Sequence, residues 1–523
     1  MSYISFCYLL LFLGILVCLY YLAPLKKRWI VLLAGSYLFY ALSSGRLLVF
    51  LLVTTVSVYL GALALEREQQ AFDAVRKNLD KEERKARRAV MTARKKRIVM
   101  LMLLVNLGLL AVLKYYHFFS ENINALAARM RLDCQLPALK LLMPLGISFY
   151  TLSAIGYLID VYRGQCRADH HLGRLALFLS LFTNIVEGPI SRYGQLAGQA
   201  FEGHRADYRQ MTFGVQLILW GLFQKMVIAD RAAIFVSTVF DDPVSYSGST
   251  VVLAVLIYTL QIYTDFAGCM NIVRGSGALF GIELAVNFEQ PFFSRSIGEF
   301  WRRWHVTLGA WFKDYIFYPV TLSKINLKLG RICKRYFSEH MGQVLPTAFA
   351  LFFVWLANGL WHGAAWKYVA YGMYYYGLTV SGLFFRPMIA AFYERTGIRK
   401  EGWLWQILLV VRTFILVNIG MFLFRAADLR TFGGMFLSIF GPAKGNWLAL
   451  GLDIYDLAVL AAGTVILLAV GLMQEKKWHI REKAAALPLP IRWGIYIGAV
   501  CVIIIFGAYG SGYAPVDPVY ANF

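Results

Sequence analysis

Thirteen stretches of this chain are apolar over lengths that cross, or nearly cross, about 30 Å of hydrocarbon as helix. They lie near 5–23, 29–43, 47–65, 98–119, 139–160, 172–190, 211–229, 250–268, 343–361, 365–385, 404–424, 454–473 and 491–509. Only 16% of the 523 residues are charged and 59% are hydrophobic, so most of the outer surface must face something other than water. The expected fold is an all-α polytopic membrane protein. The excess of 52 Lys and Arg over 30 Asp and Glu is then a topology signal before it is a ligand signal, and it argues against a nucleic-acid partner.

The seven cysteines are scattered, with no CxxC and no Cys/His spacing that suits zinc, and Cys7, Cys18, Cys269 and Cys501 sit in apolar runs. Free thiols and no metal site are expected. The run 5–23 has no basic segment before it and is followed by Lys26, Lys27 and Arg28, which reads as a retained span and not as a signal peptide.

About 11–12 of the runs are expected to be transmembrane helices. One run is short, and others carry Pro144, Glu187 or Asp265, which a span tolerates where it faces protein or a wet cavity. Re-entrant or interfacial helices are therefore expected as well. Three regions follow: N-terminal spans over 1–65, a basic cytoplasmic helical segment over 66–97, and a core over 98–523. The segment 66–97 holds twelve Lys/Arg against six acids, a balance of +6, and reads as one long solvated helix near anionic headgroups. With the basic loops at 26–28 and 163–174 lying an even number of spans away, all three share the cytoplasmic side and the N-terminus lies outside.

The residues from 269 to 335 differ in kind: Gly275, Gly277 and Gly281 are followed by a mixture of aromatic and basic side chains through Tyr318. That mixture belongs at headgroup depth or in a funnel into the protein. Gly277 and Gly281 form a GxxxG, a weak packing signal.

GxSxG, GxxxxGK[ST], GxGxxG and HExxH do not occur, which removes the usual support for hydrolase, ATPase and metalloprotease readings. What remains is ionisable groups at membrane depth. His362 lies in LFFVWLANGLWHGAAW (351–366), a run with no charged residue, where an unpartnered imidazole is costly. It is also the side chain that takes and returns a proton near neutral pH. His305 lies in EFWRRWHVTLGAWFKDYIFYP (299–319); read as one helix, this stretch places Trp301, His305, Leu308 and Phe312 on a shared face. Glu187 and Asp265 sit at apolar-run ends, each expected to pair with Arg192 or Arg274 and to act in support.

Taken in order, EGPISRYGQ (187–195), the stretch 265–319 and NGLWHGAAWKYVAYGMYYYG (358–377) resemble the membrane-bound O-acyltransferase family, in its bacterial branch acting on alginate and teichoic acids. The motif region spans 140–385. The resemblance implies a ring of spans around a central funnel, in a bacterial plasma membrane, with an acyl donor on the cytoplasmic side and an acceptor hydroxyl outside. By motif it implies His362 as catalytic base and His305 as the second functional histidine. Asn358, Trp361, Trp304, Arg302, Arg303, Asp265 and Glu187 would bind or support, with the two arginines attracting an anionic donor. No bound cofactor is implied; the donor is acetyl-CoA or an acyl carrier protein, and the partners are membrane lipids, a cell-surface polymer and a periplasmic or extracellular protein.

Alginate-type chains carry a GYSDMA-like run and a Pro-Leu-Gly-Gly run where this one has GCMNIV and PVTLSK, so a surface polysaccharide is expected rather than alginate itself. Acetyl transfer is preferred, with D-alanyl transfer to teichoic acid as the alternative. A transporter without transfer chemistry also fits midplane charges and broken helices, although no internal repeat is visible. A membrane scaffold is a third reading.

Overall fold

A computed structural model describes residues 2–132, 135–139, 141–445 and 450–509. Cys134 and residues 510–523, within the expected core region, lie outside them. Among the described residues eight helical stretches are long and apolar enough to cross a membrane: Leu25–Val75, Lys81–Arg129, Tyr208–Asp241, Ser249–Ala278, Glu339–His362, Trp403–Arg425, Ile454–Glu475 and Leu489–Phe506. The fold is an all-α polytopic membrane protein. Leu25–Val75 holds two of the apolar runs, parted where Gly45 takes a φ of 52°, a left-handed turn open to glycine. Among the described residues none of the six cysteines is in a disulfide.

The chain divides into two compact units. One comprises residues up to 215 together with 273–285. Here α1 (Leu48–Val75) and α2 (Lys81–Arg129) are separate helices, so the basic segment 66–97 is a helical hairpin and not one helix. Asp80 explains the break: its side chain accepts from the Glu83 N–H at 2.8 Å while Glu83 reaches back to the Asp80 N–H, a capping box that starts a new helix. Lys95 donating to Gln69 at 3.1 Å and Arg94 beside Glu68 at 3.6 Å tie the arms. The run 139–160 yields only α3 (Ile147–Arg163), and 172–190 a nine-residue helix, Leu172–Ser180, followed by turns. Gly281 falls outside the helix ending at Ala278, so the GxxxG is not a helical pair. Glu187 is buried in this unit, in the turns after Ser180.

The second unit comprises 216–272 and 286–509. Its long helices include α4 (Ser249–Ala278, whose last turns belong to the first unit), α7 (Glu339–His362), α8 (Trp366–Phe384), α9 (Trp403–Arg425), α10 (Ile454–Glu475) and α11 (Leu489–Phe506); between α4 and α7 lie two seven-residue helices, α5 (Ile297–Arg303) and α6 (Val306–Phe312). Ile497, Ile504 and Ile505 on α11 stand exposed, which suits hydrocarbon and not water. The helices α7 and α8 meet backbone to backbone. A Cβ at Gly359 would lie 2.4 Å from the Tyr368 carbonyl, and one at Gly372 would lie 2.3 Å from the Trp355 carbonyl, so small residues permit the approach.

Candidate active site

The stretch expected to be one helix through 299–312 breaks at Trp304 and His305. Trp304 is extended and His305 is left-handed, with φ 48° and ψ 53°. The cause is a pairing invisible to helical periodicity. Phe288 bridges Trp304 antiparallel, the Glu289 N–H donates to the Arg303 carbonyl at 2.9 Å, and the Val306 N–H donates to the Asn287 carbonyl at 3.1 Å. A non-glycine residue is strained there, and the two-sided pairing holds it.

Asn287 fixes the imidazole as well as the backbone. Its Oδ1 accepts from the Thr307 N–H at 3.0 Å and the Thr307 hydroxyl at 2.9 Å, which establishes which amide atom is oxygen. His305 Nδ1 lies 3.3 Å from that same oxygen. An amide oxygen only accepts, so Nδ1 carries the proton and Nε2 the lone pair. His305 is buried, and desolvation pushes its pKa down to about 3, which keeps the ring neutral. Phe266 packs edge-on at 4.8 Å between ring centres.

His362 ends α7 and is equally buried. Its ring lies edge-on to Phe424 at 5.1 Å, Tyr371 at 5.6 Å and Trp361 at 5.0 Å. Trp361 also lies 5.6 Å from His305, so one indole touches both histidines. Asn358 lies one turn before His362, and its Oδ1 has no hydrogen-bond partner among the described residues; neither has the N–H of Trp355 or of Trp301. Those two indoles pack at 5.1 Å, and Trp301 meets Tyr375 at 4.8 Å and Tyr371 at 6.4 Å. A buried donor left unmade is costly, and this cluster holds two such N–H groups and one such acceptor. Trp304 is packed within Phe300, Phe288 and Phe292, a backing role.

Arg303 differs from expectation. It holds Glu475 at 2.7 Å and Glu299 at 2.7 Å, so its charge is compensated within the protein, while Arg302 is exposed. Asp265 pairs with Lys225 at 2.5 Å, a partner the sequence reading did not name, and Lys225 also holds Asp230 at 2.7 Å. Lys225 lies in a π-helical turn, Phe223–Ala229, with its side chain fully buried. Sequence reading passed over Lys225, although a lysine within an apolar run demands a carboxylate. Trp301, Trp355 and Asn287 were missed as site residues too; the two tryptophans sit one turn from noted positions, but Asn287 carries no local signal.

Residues 167–424 match the model of the membrane-bound O-acyltransferase family. The protein named "probable alginate O-acetylase AlgI" in Pseudomonas aeruginosa is 31% identical over 468 residues, 89% of this chain and 80% of that one. The peptidoglycan O-acetyltransferase of Helicobacter pylori is 28% identical, covering 77% and 72% of the two chains. The teichoic acid D-alanyltransferase of Bacillus subtilis is 27% identical, covering 55% and 70%.

Proposed function

This chain belongs to the membrane-bound O-acyltransferase family, and from that premise we propose that it moves acetyl, in preference to D-alanyl, from a cytoplasmic thioester to hydroxyls of a bacterial cell-surface polysaccharide. The donor is acetyl-CoA or an acyl carrier protein; the protein works in the plasma membrane with a periplasmic or extracellular partner and binds no cofactor. The names of the relatives support an envelope polymer as acceptor. Family membership replaces the transporter and scaffold readings.

His362 takes the proton of the acceptor hydroxyl as its oxygen bonds to the acyl carbon. The carbon–sulfur bond then breaks, and the proton passes to the departing thiolate. In this reading the N–H groups of Trp301 and Trp355 meet developing charge, with Asn358 and Trp361 lining the path. His305, neutral and fixed by Asn287, positions a substrate hydroxyl through its Nε2 lone pair. Asp265 acts by anchoring Lys225; Trp304, Glu187, Arg302 and Arg303 are supporting residues. The observation that carries this reading is the pair of buried imidazoles joined by Trp361, in one cluster with the buried N–H groups of Trp301 and Trp355, which have no hydrogen-bond partner among the described residues.

Replacing His362 with Gln keeps a hydrogen bond but removes the base. O-acyl ester in surface polymer should fall by about 10²–10⁴-fold at unchanged protein level. Mass analysis of the same polymer distinguishes acetyl from D-alanyl. Ester at the wild-type level would take His362 out of the mechanism.

A further inference from the structure

The second unit has a cavity of about 580 Å³ that the transfer chemistry does not use, walled by α4, α9 and α10 and including Leu256, Leu260, Phe292, Phe414, Ala461 and Leu468. Its lining is hydrocarbon apart from two threonines, and both hydroxyls are already engaged. Thr259 donates to Asn418 at 2.7 Å and Thr464 to the Leu460 carbonyl at 2.7 Å. Water has nothing to bond there.

One end can be located. Along α4 the wall runs from Leu253 to Leu260 toward Tyr263, whose ring meets Phe292 at 5.1 Å. Along α10 it runs from Leu457 to Leu468 toward Gly471, where a Cβ would lie 3.3 Å from Phe293. Phe292 and Phe414, 5.8 Å apart, therefore close the groove at that end. The polypeptide beyond them carries two arginines, Arg295 three residues after Phe292 and Arg412 two before Phe414, and the Arg412 guanidinium donates to the Arg295 carbonyl at 2.8 Å.

Both arginines are exposed, and neither is in an ion pair among the described residues. The nearby Glu299 is taken by Arg303 and by the Arg295 N–H. Arg412 stands nine residues into the 23-residue apolar helix α9. An uncompensated guanidinium within a span is costly and asks for a partner. We propose that the groove holds a bilayer phospholipid with an anionic headgroup: an acyl chain lies along α4 and α10, and the phosphate sits on Arg295 and Arg412. Phosphate and guanidinium bond as a charge-assisted fork, and no other part of the groove asks for polarity.

The test is native mass spectrometry of the purified full chain in detergent, with phosphatidylglycerol, phosphatidylethanolamine or soluble glycerol phosphate as probe. Wild type should retain phosphatidylglycerol over phosphatidylethanolamine by roughly fivefold per arginine. Arg295→Gln with Arg412→Gln should erase the preference while leaving residual binding of both lipids. Ala461→Trp, an exposed position that fills the groove without disturbing the core, should reduce binding of both. Glycerol phosphate should displace neither. An intact preference in the double arginine variant, full occupancy in Ala461→Trp, or displacement by glycerol phosphate would each overturn the proposal.

Discussion

Asn287 sets the hydrogen bonding of His305 from eighteen residues away in sequence, because its one oxygen holds Thr307 and the imidazole together. Replacing it with Asp changes little in shape and adds a carboxylate beside a ring that burial now keeps neutral. An adjacent negative charge favours the protonated imidazole, so the pKa of His305 should rise from its low value into the working range. The ratio of Asn287→Asp to wild-type transfer should then decline as pH falls from 8 to 5, a ratio in which any titration common to both proteins cancels. A ratio flat with pH would mean that His305 does not act through its neutral form. Of the residues in the candidate site, His362 stood out in the sequence because an imidazole in a chargeless run is costly without a partner, and it is indeed buried. His305 was legible as a residue but not in its geometry. The spacing of Trp301, His305, Leu308 and Phe312 fits a helix, while a pairing with residues 287–289 decides the backbone.

Among the elements, the π-helical turn at Phe223–Ala229 binds a span to its neighbour through charge. Lys225 sits between Asp230 on its own stretch and Asp265 on α4. Removing one member of a buried ionic cluster costs about 3–5 kcal/mol, whereas neutralising the whole of it is far less harmful. Lys225→Met should lower the melting temperature in detergent sharply, and the triple variant Lys225→Met, Asp230→Asn, Asp265→Asn should regain most of the loss. Equal loss in both would assign Lys225 a packing role. The helices themselves were largely legible, since apolar runs of the right length leave a chain few alternatives in lipid. Their ends were less so. The cap at Asp80 divides 66–97 into two helices, its D-x-x-E spacing hidden inside a run that reads as uniformly charged. The run 172–190 counts as apolar but yields only nine helical residues.

For the molecule as a whole, orientation remains the property carried by loop charge. By that rule the hairpin at 66–97 and the loops at 26–28 and 163–174 are expected together on the cytoplasmic side, with the N-terminus opposite. A cysteine placed at Asp80, the exposed tip of the hairpin, should react with a membrane-impermeant maleimide only after the membrane is opened; labelling in intact cells would reverse the topology. The helix beneath that tip has a practical side. At 49 residues and 1.5 Å each, α2 is about 74 Å long, and hydrocarbon accounts for about 30 Å of it. Its charged start over 81–97 is expected to lie beyond the hydrocarbon, strapped to α1 for its first turns. Membrane enzymes without a soluble domain are difficult to align in electron micrographs because the micelle hides every landmark. This one carries its own mast, and a rigid marker joined at the tip would turn with the protein.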